Sequence, residues 1–189
     1  MLVLLAAGSQ VVQGGSTLGE AIRKAPAVSK EEKAMAQVQN GQMRCELLHL
    51  DLCKTLILPD CSFGAESYAA SEGSVLVLVR GRVTNTSKTS VVFQIPEFLS
   101  PGGRQYEEVD AVHYRNTKDT IMGLKLNPGQ QHAFVCFFSV PVADVLNGSL
   151  LFEKDMFYLE DDDTTTMALP LNEDAIIRDS ITLSGVTDM

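Results

Sequence analysis

Three histidines, four cysteines and no Cys-x-x-Cys pair are all that this 189-residue sequence offers of the nitrogen and sulfur ligands that zinc prefers. The thiols stand singly at Cys45, Cys53, Cys61 and Cys136 and the imidazoles at His49, His113 and His132, so the paired spacing of a zinc site is missing. Nor is there a Gly-x-Ser-x-Gly elbow or a Gly-x-x-x-x-Gly-Lys loop, and the sequence signatures of a nucleophile-elbow hydrolase and of a phosphate-cradling loop go with them. No apolar run reaches the roughly 18 to 20 residues that a membrane-spanning helix needs. Basic residues are in the minority, 15 against 24 acidic ones, and the formal charge of −9 makes nucleic acid a poor partner. None of the residues is assigned as catalytic, cofactor-binding or metal-ligating.

No Lys or Arg precedes Arg23, yet the chain opens with a short apolar run, Leu2 to Ala7, followed by small residues. Residues 1–15 read as the remnant of an export signal whose basic leading region is missing. Ser9 stands where a lipoprotein would carry its acceptor cysteine, so lipidation has no site. Residues 16–42 are small, polar and charged, with helix-start patterns at Thr17/Glu20 and Ser29/Glu32. They are expected to form a tether carrying a short helix at about 30 to 39.

From Met43 the apolar period becomes two. Leu48, Leu50 and Leu52 share one face of a strand, while Cys45, Leu47, His49, Asp51 and Cys53 share a more polar one. Pro59 to Ser74 is rich in Pro, Gly and Ser and reads as a long loop. Next, Val75, Val77, Val79 and Val83 form a buried row, with Arg80 and Arg82 on the alternate, solvent-facing positions. Asn85 ends that strand, and Val91 to Ile95 starts another that breaks at Pro96. Asn127-Pro128-Gly129-Gln130 suits a type II turn between Ile121–Leu126 and Gln131–Pro141. A last hairpin is expected to join Ser149–Glu153 to a run around Met167–Leu171. Short strands with turns between them and little helix point to an all-β, antiparallel sandwich over 43–171, followed by a C-terminal extension at 172–189.

Four stretches occur in a familiar order: VLVLVRGRVTNTS, VVFQIPEFLSPGGRQYE, LNPGQQ and FVCFFSVP. Together they resemble an immunoglobulin-like domain-of-unknown-function family of bacterial exported proteins and lipoproteins, akin to a mycobacterial secreted antigen. The likeness rests on Asn85-Thr86, Gly102-Gly103 with Tyr106, Pro128-Gly129 and Phe138-Ser139-Val140-Pro141, and spans roughly residues 43 to 157. It implies an immunoglobulin-like β-sandwich and brings no catalytic residues.

The expectation is therefore a non-catalytic module, exported to the cell envelope or beyond, that meets a protein or envelope partner without a cofactor. The alternative is a structural component self-associating through strand edges. A metal-dependent binder or enzyme built on the acidic run Glu160–Asp163 ranks below both, because that run lacks the alternating spacing and Gly of a calcium loop. Asn85-Thr86-Ser87 and Asn147-Gly148-Ser149 match the N-glycosylation pattern, and both read as turns. Arg80 and Arg82, with Arg104 and Arg115, read as surface arginines of strands.

Overall fold

The valine row from Val75 lies in the central strand of the protein. The computed structural model describes residues 21–24, 33–61, 64–114, 124–152, 165–184 and 186–188. In chain order the strands are β1 (Ala21–Lys24), β2 (Ala36–Gln39), β3 (Met43–Cys61), β4 (Gly64–Ala69), β5 (Ser74–Asn85), β6 (Val91–Phe93), β7 (Glu97–Leu99), β8 (Gln105–Tyr106), β9 (Asp110–Tyr114), β10 (Leu124–Leu126) and β11 (Gln131–Pro141). One helical turn, α1 (Val142–Val145), leads to β12 (Ser149–Phe152), β13 (Thr165–Ala168), β14 (Ile177–Ser184) and β15 (Val186–Asp188).

These strands make a two-layer β-sandwich. The main layer runs β1-β14-β3-β5-β11-β9-β15, with β2 and β4 also paired to β3. Facing it is a layer in two pieces, β13-β12-β7-β8 and β10-β6, divided where Pro96 interrupts the run from Val91 to Leu99. Between the layers lie Val75, Val77, Val79 and Val83 of β5, Phe134, Cys136 and Phe138 of β11, and Phe98 and Leu150 from the second layer. Most pairings are antiparallel. Two are not: β14 runs parallel to both β1 and β3.

β5 and β11 pair in register from Ser74 opposite Pro141 to Thr84 opposite Gln131. Both are buried on both faces. Leu76, Leu78, Val135 and Phe137 belong to a second apolar cluster with Cys53, Leu56, Leu58, Ile181 and Leu183. The ladder accounts for this second core. β14 and β15 are separated by one residue, yet β14 pairs with β3 and β15 with β9, on the far side of β5 and β11. Two steps of extended chain span only about 7 Å, so the sheet curls until β15 comes round to β14, as in a barrel, and the second cluster fills the curl.

Gly81 is required by this packing. It lies opposite Phe134, whose ring covers it so closely that an added Cβ would sit 2.3 Å from Phe134 Cζ. Because Phe134 is itself buried, Gly81→Ala is expected to destabilise the protein by about 1 to 3 kcal/mol through overpacking. A urea unfolding midpoint unchanged from the parent would contradict this account of Gly81.

Several expectations from sequence need correction. Residues 36–39 form a strand, β2, and not the end of a helix: Ala36 and Val38 pack on the core while Gln37 and Gln39 are exposed, a period of two that β3 can pair. The supposed loop at 59–74 contains β4, held on β3 and anchored by Tyr68, whose ring meets Phe137 edge-on at 4.8 Å. The folded body also reaches past 171, since β14 lies between β1 and β3 and buries Ile181 and Leu183. Between Leu99 and Asp110 the strand is the two-residue β8. The turn at Asn127–Gln130 forms, with Gly129 at φ 74° and the Gln130 N–H donating to the Asn127 carbonyl at 2.9 Å, but the strands it joins pair elsewhere, β10 with β6 and β11 with β5 and β9. The expected last hairpin also forms, β12 pairing with β13 from Ser149 opposite Ala168 to Phe152 opposite Thr165.

The faces of β3 differ from those the alternation predicts because the strand is bulged. Leu47 opposes Gly81 and His49 opposes Arg80, which leaves Leu48 as an extra residue. A bulge reverses which alternate positions face inward. Met43, Cys45 and Leu47 therefore reach the sandwich core before it, and Leu50 and Leu52 after it. Cys45 and Cys53, expected on a polar face, are both buried.

Candidate functional site

Ionisable side chains gather on the face of β3 and β5 that turns away from the sandwich core, where the strand period places Glu46, Arg80 and Arg82. Arg80 and Arg82 are not on a solvent side as expected: they are 4% and 7% exposed, and Glu46 is 8% exposed. The reason is charge pairing across the ladder. Arg82 stands directly opposite Glu46, and its Nε and Nη2 donate to Oε2 and Oε1 of that carboxylate, each at 2.9 Å. The planar guanidinium fork matches both oxygens at once. Arg44 Nε lies 3.8 Å from the same carboxylate, and Arg80 Nη2 lies 3.8 Å from Asp51.

The bonds from Arg82 hold the Glu46 carboxyl below its ordinary pKa, outweighing the opposing effect of burial. Such a carboxylate is a weak base, and both of its oxygens are already occupied. His49 lies opposite Arg80 on one side of β5, and His132 lies opposite Val83 on the other. His113 is paired by its backbone to Thr187; its side chain is outside the described residues, as are those of Cys61 and Arg115. Residues 1–15 and the acidic run Glu160–Asp163 are also outside them. Among the described residues, no three or more His, Cys, Asp or Glu side chains converge on a point that could hold a metal ion.

A second polar centre closes the end of β5. Asn85 is fully buried, and its side-chain amide donates to the carbonyls of Thr89 at 2.7 Å and Leu126 at 2.9 Å. Its Oδ1 accepts from the Ser87 amide and hydroxyl, both at 2.8 Å. The Asn85 N–H meets the Gln130 carbonyl, and the Gly129 N–H meets the Asn85 carbonyl. Both amide hydrogens of the supposed glycan acceptor are thus used inside the fold, tying three chain segments together. Asn147, of the other sequon, is exposed at φ 57° in the turn before β12.

A third centre joins the layers. The Tyr106 hydroxyl on β8 donates to Asp144 Oδ2 in α1, and Arg104 Nη1 approaches the same oxygen at 3.4 Å. The bond to Asp144 raises the Tyr106 pKa. The turn through Gly102-Gly103 brings Arg104 back so that its N–H donates to Ser100 Oγ at 2.9 Å. Sequence reasoning singled out Tyr106 but missed Asp144 and Glu46; each lies about 36 to 38 residues from its partner, and only the strand pairing brings them together.

Cys45, Cys53 and Cys136 are buried free thiols. Burial is the main cause that pushes Cys45 and Cys53 up to about 12, and Cys136 well above its ordinary value. Alkylation of the folded protein at pH 8 is expected to leave all three unmodified, and unfolding in guanidinium to expose them, as read by peptide mass mapping. Rapid labelling of any one in the native state would show that its burial is transient.

No family model matches the sequence, and neither does any curated protein. Among solved structures, the chain is similar to an uncharacterized β-sandwich protein from Clostridium difficile 630, with 14% identity and a TM-score of 0.44 over 74% of this chain and 93% of the other. It is also similar to a provisionally described lipoprotein from Bacillus subtilis, with 10% identity and a TM-score of 0.48 over 72% of this chain and 39% of that one. A functionally unknown protein from Listeria monocytogenes EGD-e aligns at 7% identity and a TM-score of 0.48 over 75% and 84% of the two chains. With TM-scores below 0.5, none of these carries an inference about what this chain does.

Proposed function

We propose that the protein is a non-catalytic, immunoglobulin-like interaction module that works outside the cytoplasm, in the envelope or beyond, and meets a protein partner. One observation carries the non-catalytic part: among the described residues, the polar groups of the two buried centres are bonded within the scaffold. Glu46 is forked by Arg82, and the Asn85 amide is shared among three segments. Export rests on the leader-like residues 1–15 and on the resemblance carried by the four sequence stretches. Buried thiols are compatible with it, because a thiol shielded from oxidant and from a second thiol persists in an oxidising compartment.

Fractionation of source cells with an antibody to the protein tests the location. Recovery in the envelope or medium is the expected result, and a wholly cytosolic product would overturn it. Light scattering after size exclusion, run up to high concentration, separates the two modes of action. A monomer throughout supports a foreign partner, and concentration-dependent assembly supports pairing of strand edges between copies.

A further inference from the structure

We propose that the buried ion pairs on β3 and β5 act as a register lock: they confine the β3 bulge to the Leu47–Leu48 step and so decide which residues of β3 enter the sandwich core. The pairs bracket the bulge. Glu46 with Arg82 lies on one side of Leu48, and Asp51 with Arg80 lies on the other.

The apolar pattern of Cys45-Glu46-Leu47-Leu48-His49-Leu50 demands an irregularity but does not fix its place. Extending the register seen at Met43–Leu47 through the whole strand would put His49 and Asp51 opposite Val79 and Val77, on the core side. Extending the register seen from His49 to Cys53 backwards would put Glu46 opposite Val83, also on the core side. Each uniform ladder buries a charge in the valine row, so a one-residue shift must occur between these limits. Leu47 and Leu48 are adjacent and chemically alike, so hydrophobicity alone cannot hold the shift in place on its N-terminal side. The charge of Glu46 does, because it keeps position 46 on the face where Arg82 waits, with two bonds of 2.9 Å.

Buried ion pairs that give conformational specificity rather than net stability have this property: apolar replacement of both partners is tolerated, but the structure ceases to be unique. The test uses the full chain with Glu46→Leu and Arg82→Met together, which creates three consecutive leucines at the bulge. Cross-strand contacts between backbone protons, read by NMR, report the register directly. The parent is expected to give one set, with Leu47 facing Gly81. The double variant is expected to remain folded and to show a second set, in which Leu48 faces Gly81 and Leu47 faces position 82. A double variant with only the parental set would overturn the proposal, because register would then be set without the pair. A double variant that fails to fold would overturn it too, because the pair would then serve stability and not specificity.

Discussion

Arg82→Met alone is expected to cost about 3 to 5 kcal/mol, because it leaves the Glu46 carboxylate buried without its forked donor. The lower end of that range applies if Arg44, 3.8 Å away and 41% exposed at its side chain, swings in to compensate. A pH series separates lost charge pairing from lost packing. In the parent, Glu46 has a folded pKa below its unfolded value, so its stabilising contribution is present above the unfolded pKa and is lost as pH falls through the folded one. Without Arg82 the remaining influence of burial raises the carboxyl pKa, and the variant recovers as pH falls and Glu46 takes up a proton. The stability gap between the two proteins should therefore narrow on acidification. A gap that stays constant from pH 8 to pH 4 in urea titrations would show that the guanidinium contributes by packing alone.

Asn85→Ala should come close to this in size, at about 2 to 4 kcal/mol. The substitution takes a buried donor from the carbonyls of Leu126 and Thr89 and an acceptor from the N–H of Ser87, in a place where the asparagine is wholly buried. Asn85→Asp makes a sharper probe. It keeps the shape but turns an acceptor toward two carbonyls, so the folded state needs the acid protonated and stability should fall as pH rises through the unfolded pKa near 4. If Asn85→Asp is as stable as the parent at pH 8, the carbonyl bonds assigned to the Asn85 amide are not holding the segments together.

The sandwich could be read from sequence because its strongest signal, the alternation of Val75 to Val83, is local. The turn at Pro128-Gly129 was readable for the same reason: a glycine at positive φ behind a proline is decided within four residues. What sequence did not disclose depends on contacts between distant segments. Arg80 and Arg82 have the period of exposed residues, and the acids across the ladder on β3, far away in sequence, help to make their burial tolerable. β4 was lost among Gly, Ser and Ala because a strand paired along β3 and pinned by Tyr68 needs little β-propensity of its own. The bulge at Leu48 leaves only a faint trace, two adjacent leucines that interrupt an alternation. Glu46 and Asp144 were invisible as partners for the same topological reason.

The closing of the curled sheet by β14 and β15 also bears on how the chain reaches this structure. β14 joins β3 in parallel, its residues 125 positions beyond their partners, and no hairpin can deliver it there. Ile181 and Leu183 complete the second core, so during synthesis Leu56, Leu76 and Phe137 stay partly uncovered until those residues emerge. β3 and β5, near each other in sequence, can pair early, whereas the final step waits on a distant strand and its loop-closure entropy. Docking of β14 is therefore expected to come late in folding, with the apolar surface of the second core uncovered until then.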